Sequence, residues 1–406
     1  MAGEQFLHGV EVIEIDDGPR PIRTVRSSVI GIVGTAPDAD PLAFPINTPV
    51  LIAGSRLTAS KLDVSLAQTK RGTLPGALDL ILDQIGAAVV VVRVEDGAAG
   101  AGQAAATLAN VLGGAVNGAY QGVHALLAAQ TAVGVTPRIL IAPGFTSARA
   151  ADSANPGQFL ANPVVAELIG IAERLRAVIV ADGPSTTDAA AVDYAGDFGS
   201  KRVYVVDPAV KVQRGANIVV EPASSAVAGL IAKIDNDRGF WWSPSNQNIN
   251  GIVGVARPID FGLGDPNSRA NFLNEAKVAT IIREDGYRLW GNRTLSSDEK
   301  FAFLSVVRTA DIINDSILRA HLWAVDRNIT KTYVDDVEES VNAYGRTLVA
   351  QGAIAGMRCF ADPDLNSPAS IAQGKVWFNV DFSPYYPAEH VIFRSRITND
   401  YLEDIV

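Results

Sequence analysis

Apolar residues recur at every second position near the end of the chain. Lys375–Phe382 reads K-V-W-F-N-V-D-F, with Val376, Phe378, Val380 and Phe382 on one face. After the corner S-P-Y-Y-P-A, Glu389–Thr398 reads E-H-V-I-F-R-S-R-I-T, where Val391, Phe393 and Ile397 share a face and Ile392 lies between them. Period-two spacing of β-branched and aromatic residues predicts two strands. Pro384 and Pro387 rule out a two-residue turn between them. Phe6–Ile15 repeats the pattern at the other end with Val10, Val12, Ile13 and Ile15, and stops at Asp16-Asp17-Gly18-Pro19, a turn signal. A strand so close to a terminus can close its own sheet or be lent to another chain by β-augmentation.

The interior changes rhythm. Ser27–Thr35 is a buried-type strand and Pro49–Ala53 a short one. From about Leu74 to Asp207, helical spacing (Leu78, Ile81, Leu82, Ile85) alternates with continuous apolar runs at Val89–Val94, Arg138–Ala142, Ala177–Ala181 and Val203–Val206. A helix is expected over Ala119–Ala132 and another over Val164–Leu175. Such alternation predicts a helix-covered, mixed or parallel sheet. Residues 27–245 are therefore expected to form an α/β domain. Residues 246–388 are expected to form an α+β domain, with helices opening at Ser296–Glu299 and spanning Asp335–Gln351. Residues 1–26 and 389–406 are the arms. The fold class is α/β plus α+β with extended terminal strands.

Composition then narrows the chemistry. With 406 residues, 48% hydrophobic and 19% charged, the chain has ample material for a core. A net charge of −10 argues against nonspecific nucleic-acid binding and against adsorption to acidic membranes. The first residues lack a secretory leader, and no apolar run is long enough to span a bilayer, so synthesis in a cytoplasm is expected. The single cysteine, Cys359, excludes an internal disulfide and reads as a buried thiol. His8, His124, His321 and His390 are scattered without metal-ligand spacing. Val89–Val94 runs into Glu95-Asp96-Gly97 and then Gly100-Ala101-Gly102, a strand-to-glycine-turn order that a nucleotide-binding enzyme would use. The spacing is G-x-x-G-x-G, and two carboxylates at its mouth would repel a pyrophosphate. Asp182 ends a strand, where α/β sites form, but stands alone there. The acidic residues Asp335, Asp336, Glu338 and Glu339 suit a helix N-terminus. No catalytic set, metal site or cofactor is expected.

Several segments together carry a family resemblance. H-G-V-E-V-I-E-I and S-S-V-I-G-I-V-G-T-A-P near the start, S-P-S-N-Q-N-I-N-G-I-V-G-V-A-R-P-I (Ser243–Ile259), G-Y-R-L-W-G-N-R-T-L (Gly286–Leu295) and V-D-F-S-P-Y-Y-P-A-E-H-V-I-F (Val380–Phe393) resemble contractile phage tail sheath proteins. Sheaths of bacteriocins and other contractile injection machines are related to these. The resemblance implies a non-enzymatic virion subunit that polymerises in six-fold rings around a tail tube, with baseplate and terminator proteins as further partners. It implies that both arms insert as strands into neighbouring copies, through Val10, Val12, Ile13 and Ile15 at one end and Val391, Ile392, Phe393 and Ile397 at the other. It also implies that the 246–388 domain faces the tube and the α/β domain faces outward. Arg308, Arg319, Arg327 and Lys331 are the candidates for meeting an acidic tube surface.

Overall fold

The computed structural model describes residues 21–66 and 70–399. Its strands and helices run, in chain order, β1 (Ile30–Thr35), β2 (Val50–Ala53), α1 (Arg56–Ala59), α2 (Leu74–Gln84), β3 (Ala88–Val94), α3 (Gln103–Leu112), β4 (Gly114–Val116), β5 (Ala119–Gln121), α4 (Ala129–Val133), β6 (Ile139–Ile141), α5 (Pro163–Leu175), β7 (Val178–Asp182), α6 (Asp188–Gly196) and β8 (Val203–Val206). There follow β9 (Val210–Arg214), β10 (Asn217–Glu221), α7 (Ala223–Asp237), β11 (Gln247–Asn248), β12 (Ile252–Val255), α8 (Arg269–Glu275), β13 (Val278–Arg283), β14 (Tyr287–Trp290), α9 (Leu304–Ala320), α10 (Lys331–Ala350), β15 (Ile354–Ala361), α11 (Pro368–Ala372) and β16 (Phe378–Pro384). The chain divides into a large unit, residues 26–312 with 385 onward, and a small one, residues up to 25 with 313–384.

A nine-stranded sheet in the order β11-β14-β13-β8-β7-β6-β1-β3-β2 forms the large unit. The six strands from β13 to β3 are parallel, and β2, β14 and β11 pair antiparallel at the two ends. Alternation within each apolar run decides which core it feeds. Val89 and Val91 pack with Ile30, Ile32, Leu78 and Ile81 on one face, beneath α2 and α7. Val90, Val92 and Val94 pack with Val33, Val165 and Leu168 on the other, beneath α5. Gly34 has a local reason to be glycine, since a Cβ there would lie 2.2 Å from Thr73 Oγ1. That same oxygen accepts the Thr35 amide at 3.2 Å and locks the start of α2 to the end of β1.

Two expectations are corrected here. The boundary at 245/246 falls inside the large unit, because β11, β13 and β14 continue its sheet; Val278 and Ala279 pair with Val205 and Val206 of β8. The helix expected over Ala119–Ala132 begins as strand β5 and a 3-10 turn. Gly122 at φ +57° bends the chain there, and α-helix is confined to α4.

In the small unit α10 lies along β15, which pairs antiparallel with β16, Cys359 opposite Val380. Val341, Tyr344 and Leu348 supply the buried stripe of α10. Gly345 permits the close approach: a Cβ there would sit 2.8 Å from Met357 Cβ. The start of the described chain is tied in as well. Thr24 Oγ1 lies 3.1 Å from the Tyr344 hydroxyl, and the Val25 amide donates to Ser316 Oγ at 3.1 Å.

Candidate assembly surface

A two-stranded ribbon has two outer edges, and here they differ. The Cys359 amide donates to Asn342 Oδ1 at 2.8 Å, and Asn342 Nδ2 donates back to the Cys359 carbonyl at 2.9 Å. The Ala361 amide donates to Glu338 Oε1 at 2.6 Å. Side chains of α10 thus occupy the outer edge of β15. Because both backbone groups of Cys359 point away from β16, the Cys359–Val380 pair is a non-hydrogen-bonded one. The backbone groups of Val380, and by alternation those of Phe378 and Phe382, then point outward along the far edge of β16. Among the described residues no strand pairs there. Cys359 itself is buried, and burial pushes its thiol up to about 11, so it remains protonated.

The predicted arm residues complete the picture on one side only. Val391, Ile392, Phe393 and Ile397 are 63%, 71%, 89% and 99% exposed. Glu389–Thr398, expected as a strand, pairs with no strand among the described residues. The partner of β16 is β15, not this segment, so the two period-two stretches do not form one folded-back unit. Val10, Val12, Ile13 and Ile15 lie outside the described residues.

The cationic candidates separate. Arg308 is buried in α9 and grips Asp235 with two bonds, Nη1 to Oδ1 at 2.6 Å and Nη2 to Oδ2 at 2.5 Å. It also donates to the Ser27 carbonyl at 3.2 Å. A guanidinium committed to an internal carboxylate cannot reach a partner, which removes it from the tube-facing set. Arg319 is exposed and pairs with Asp315 one turn earlier at 2.8 Å. Arg327 lies 5.2 Å from the Trp323 ring centroid, and Lys331 opens α10 beside its N-cap Thr330. Both are exposed, as are Leu318, Leu322 and Val325 in the same stretch.

The nucleotide reading fails on geometry. The Gly97 amide is taken by Thr107 Oγ1 at 2.9 Å, and the Glu95 carbonyl by Asn110 Nδ2 at 2.8 Å, so the loop bonds to its own helix. Deeper in the sheet, the N-terminus of α7 already holds an anion. Ser224 donates its amide to Asp182 Oδ1 at 2.7 Å and its hydroxyl to Oδ2 at 2.6 Å, and Thr146 Oγ1 adds a bond at 3.2 Å. The position where a doubly wound fold would seat a phosphate is filled by the chain's own carboxylate. Among the described residues, no group of histidine, cysteine and acidic side chains is placed to hold a metal ion. None of these pairings carried a sequence signal. Asn342 sits inside an ordinary amphipathic helix, and Asp182 reads as a turn residue.

Known proteins resemble the chain over nearly its whole length. The profile described as "Phage tail sheath protein central domain" matches residues 118–295, and "Phage tail sheath C-terminal domain" matches residues 296–398. A "Putative prophage major tail sheath protein" of Pseudomonas aeruginosa (strain UCBPP-PA14) is 44% identical over 404 residues, 99% of each chain. The "Tail sheath protein" of Escherichia phage P2 is 36% identical over 408 residues, covering 99% of this chain and 98% of its own. Among solved structures, the anti-feeding prophage helical sheath in its contracted state superposes with a TM-score of 0.68 at 22% identity, covering 97% of this chain and 99% of that one. An extracellular contractile injection system, the PVC sheath complex in contracted state, gives 0.68 at 15% identity, covering 98% and 99%.

Proposed function

The chain belongs to the phage tail sheath protein family, and from that premise we propose that it polymerises as stacked six-fold rings around a tail tube. Contraction of that lattice then drives the tube through the host envelope. The observation that carries the reading is an edge of β16 on which no described strand pairs, together with the exposed apolar residues Val391, Ile392, Phe393 and Ile397. Each copy would lend its arm to the β16 edge of a neighbour, and the N-terminal arm would be lent likewise. Covering Val391, Ile392, Phe393 and Ile397 contributes roughly 6–12 kcal/mol gross at about 1.5–3 kcal/mol per side chain. Ordering the arm and losing translational freedom offset part of this. Backbone ladders also suit a lattice that rearranges, since they keep partners joined while rigid bodies turn.

Arg319, Arg327 and Lys331, with Leu318, Leu322 and Val325 beside them, support a tube contact at the connection between α9 and α10. An apolar surface with cationic residues around it fits an acidic partner. Baseplate and tail terminator proteins would cap the polymer, assembled in the host cytoplasm and carried in the virion or tail particle.

Deletion of Met1–Asp17 or of Glu389–Val406 tests the reading. Each truncated chain is expected to remain a folded monomer by circular dichroism and to form no tubes in electron micrographs. Tubes formed by either would contradict strand exchange through that arm.

A further inference from the structure

The arm is held at its root before its apolar residues begin. Arg293 and Phe303 face each other in an isolated antiparallel bridge, which places both side chains on one side. The Arg293 guanidinium lies 5.1 Å from the Phe303 ring centroid. Two residues at the root of the arm sit on this pair. Tyr386 meets Phe303 edge-on with ring centroids 6.1 Å apart. Glu389 accepts from Arg293 Nε at 2.8 Å and from Nη2 at 2.5 Å. A bidentate pair fixes direction as well as distance. Two residues later the exposed apolar stretch starts.

Resting on the strand-exchange reading, we propose that Arg293, Phe303, Tyr386 and Glu389 form a clamp that sets the pivot of the donated strand, and through it the strand's register on the accepting β16 edge. The ion pair is 37% and 38% exposed, so it adds little to the stability of the fold. Its effect is positional. Without it the five residues 385–389 become free tether, about 17 Å of slack at ~3.4 Å per residue. The side-chain pattern cannot correct the resulting slip. A shift by one residue turns every apolar side chain to the wrong face, but a shift by two preserves the face and is not penalised that way. A fixed pivot removes the two-residue slip and keeps the arm's effective concentration at the acceptor high. Arg293 and Glu389 are thus positioning residues for assembly.

The test uses full-length Arg293→Glu, Glu389→Arg, the double exchange, and the chain lacking 389–406. The single variants are expected to keep the melting temperature of the parent monomer. They should need roughly ten-fold more protein for half-maximal sedimentable polymer, because an arm on a longer tether has a lower effective concentration at the acceptor. Amide exchange at 385–389 should quicken in both. The double exchange should restore assembly, which a generic surface effect would not do. Single variants that assemble like the parent, or a double that fails to recover, overturn the clamp and leave strand exchange standing if the truncated chain stays monomeric. A truncated chain that assembles overturns strand exchange itself.

Discussion

Asp182 and Arg308 are both charged and both buried, and the structure uses them differently. Arg308 has a carboxylate partner in Asp235, so truncating one side strands the other. Arg308→Ala is expected to cost about 3–5 kcal/mol in urea unfolding. The Arg308→Ala, Asp235→Ala double should lose less than the sum of the two singles. Arg327→Ala, at an exposed position, should stay within about 0.5 kcal/mol of the parent. Asp182 has hydroxyl and amide donors but no cation, and burial raises its pKa from 3.8 to about 6. A folded-state value above the unfolded one means folding favours the protonated acid. Its contribution to stability is full below pH 3.8 and is lost as pH rises through 6. Asp182→Asn should therefore stabilise the protein at pH 7.5 by about 1–3 kcal/mol. It should also flatten the slope of stability between pH 4 and 7. Melting curves at pH 5 and 7.5 that run parallel for parent and variant would rule this out.

The ribbon β15–β16 shows what a sequence can and cannot reveal about an element. Alternation at Phe378, Val380 and Phe382 marked a strand correctly, because pleating forces that period wherever one face is covered. It did not reveal the partner, since β15 and the arm have similar patterns and pairing is settled by packing on α10. The parallel sheet was legible for a related reason. Strands buried on both faces need unbroken apolar runs such as Val89–Val92. Its extent was not legible, because β11 is two residues long and leaves no periodicity to read. The exposed apolar residues Val391, Phe393 and Ile397 were recognisable by pattern, and the Arg293–Glu389 ion pair, ninety-six residues apart in sequence, was not. The open edge carries its own prediction. The Val380 amide points away from β15, so Val380→Pro removes no bond within the ribbon, and proline is tolerated at an edge position facing outward. The variant monomer is expected to fold and to fail to polymerise. Normal tubes from Val380→Pro would place the acceptor elsewhere.

For the molecule as a whole, the assembly reading draws its energy from contacts made between copies. The chain's own groups fill the sites where a nucleotide would bind, at Gly97 and at the N-terminus of α7. Purified protein is accordingly expected to form contracted tubes without ATP, and addition of ATP should leave the yield unchanged. A strict requirement for nucleotide, measured by sedimentation, would contradict this. Raised salt should weaken the proposed tube contact through Arg327 and Lys331 more than the proposed backbone ladders between copies. Asn342 and Glu338 give the subunit one further property. By sealing β15 they leave the ribbon, among the described residues, with a single unpaired edge, which on the strand-exchange reading limits each copy's valence for incoming chains. On that reading, donation is then directional and a copy whose edge is filled accepts no further strand there, which separates an ordered filament from the open-ended stacking of an amyloid-like aggregate.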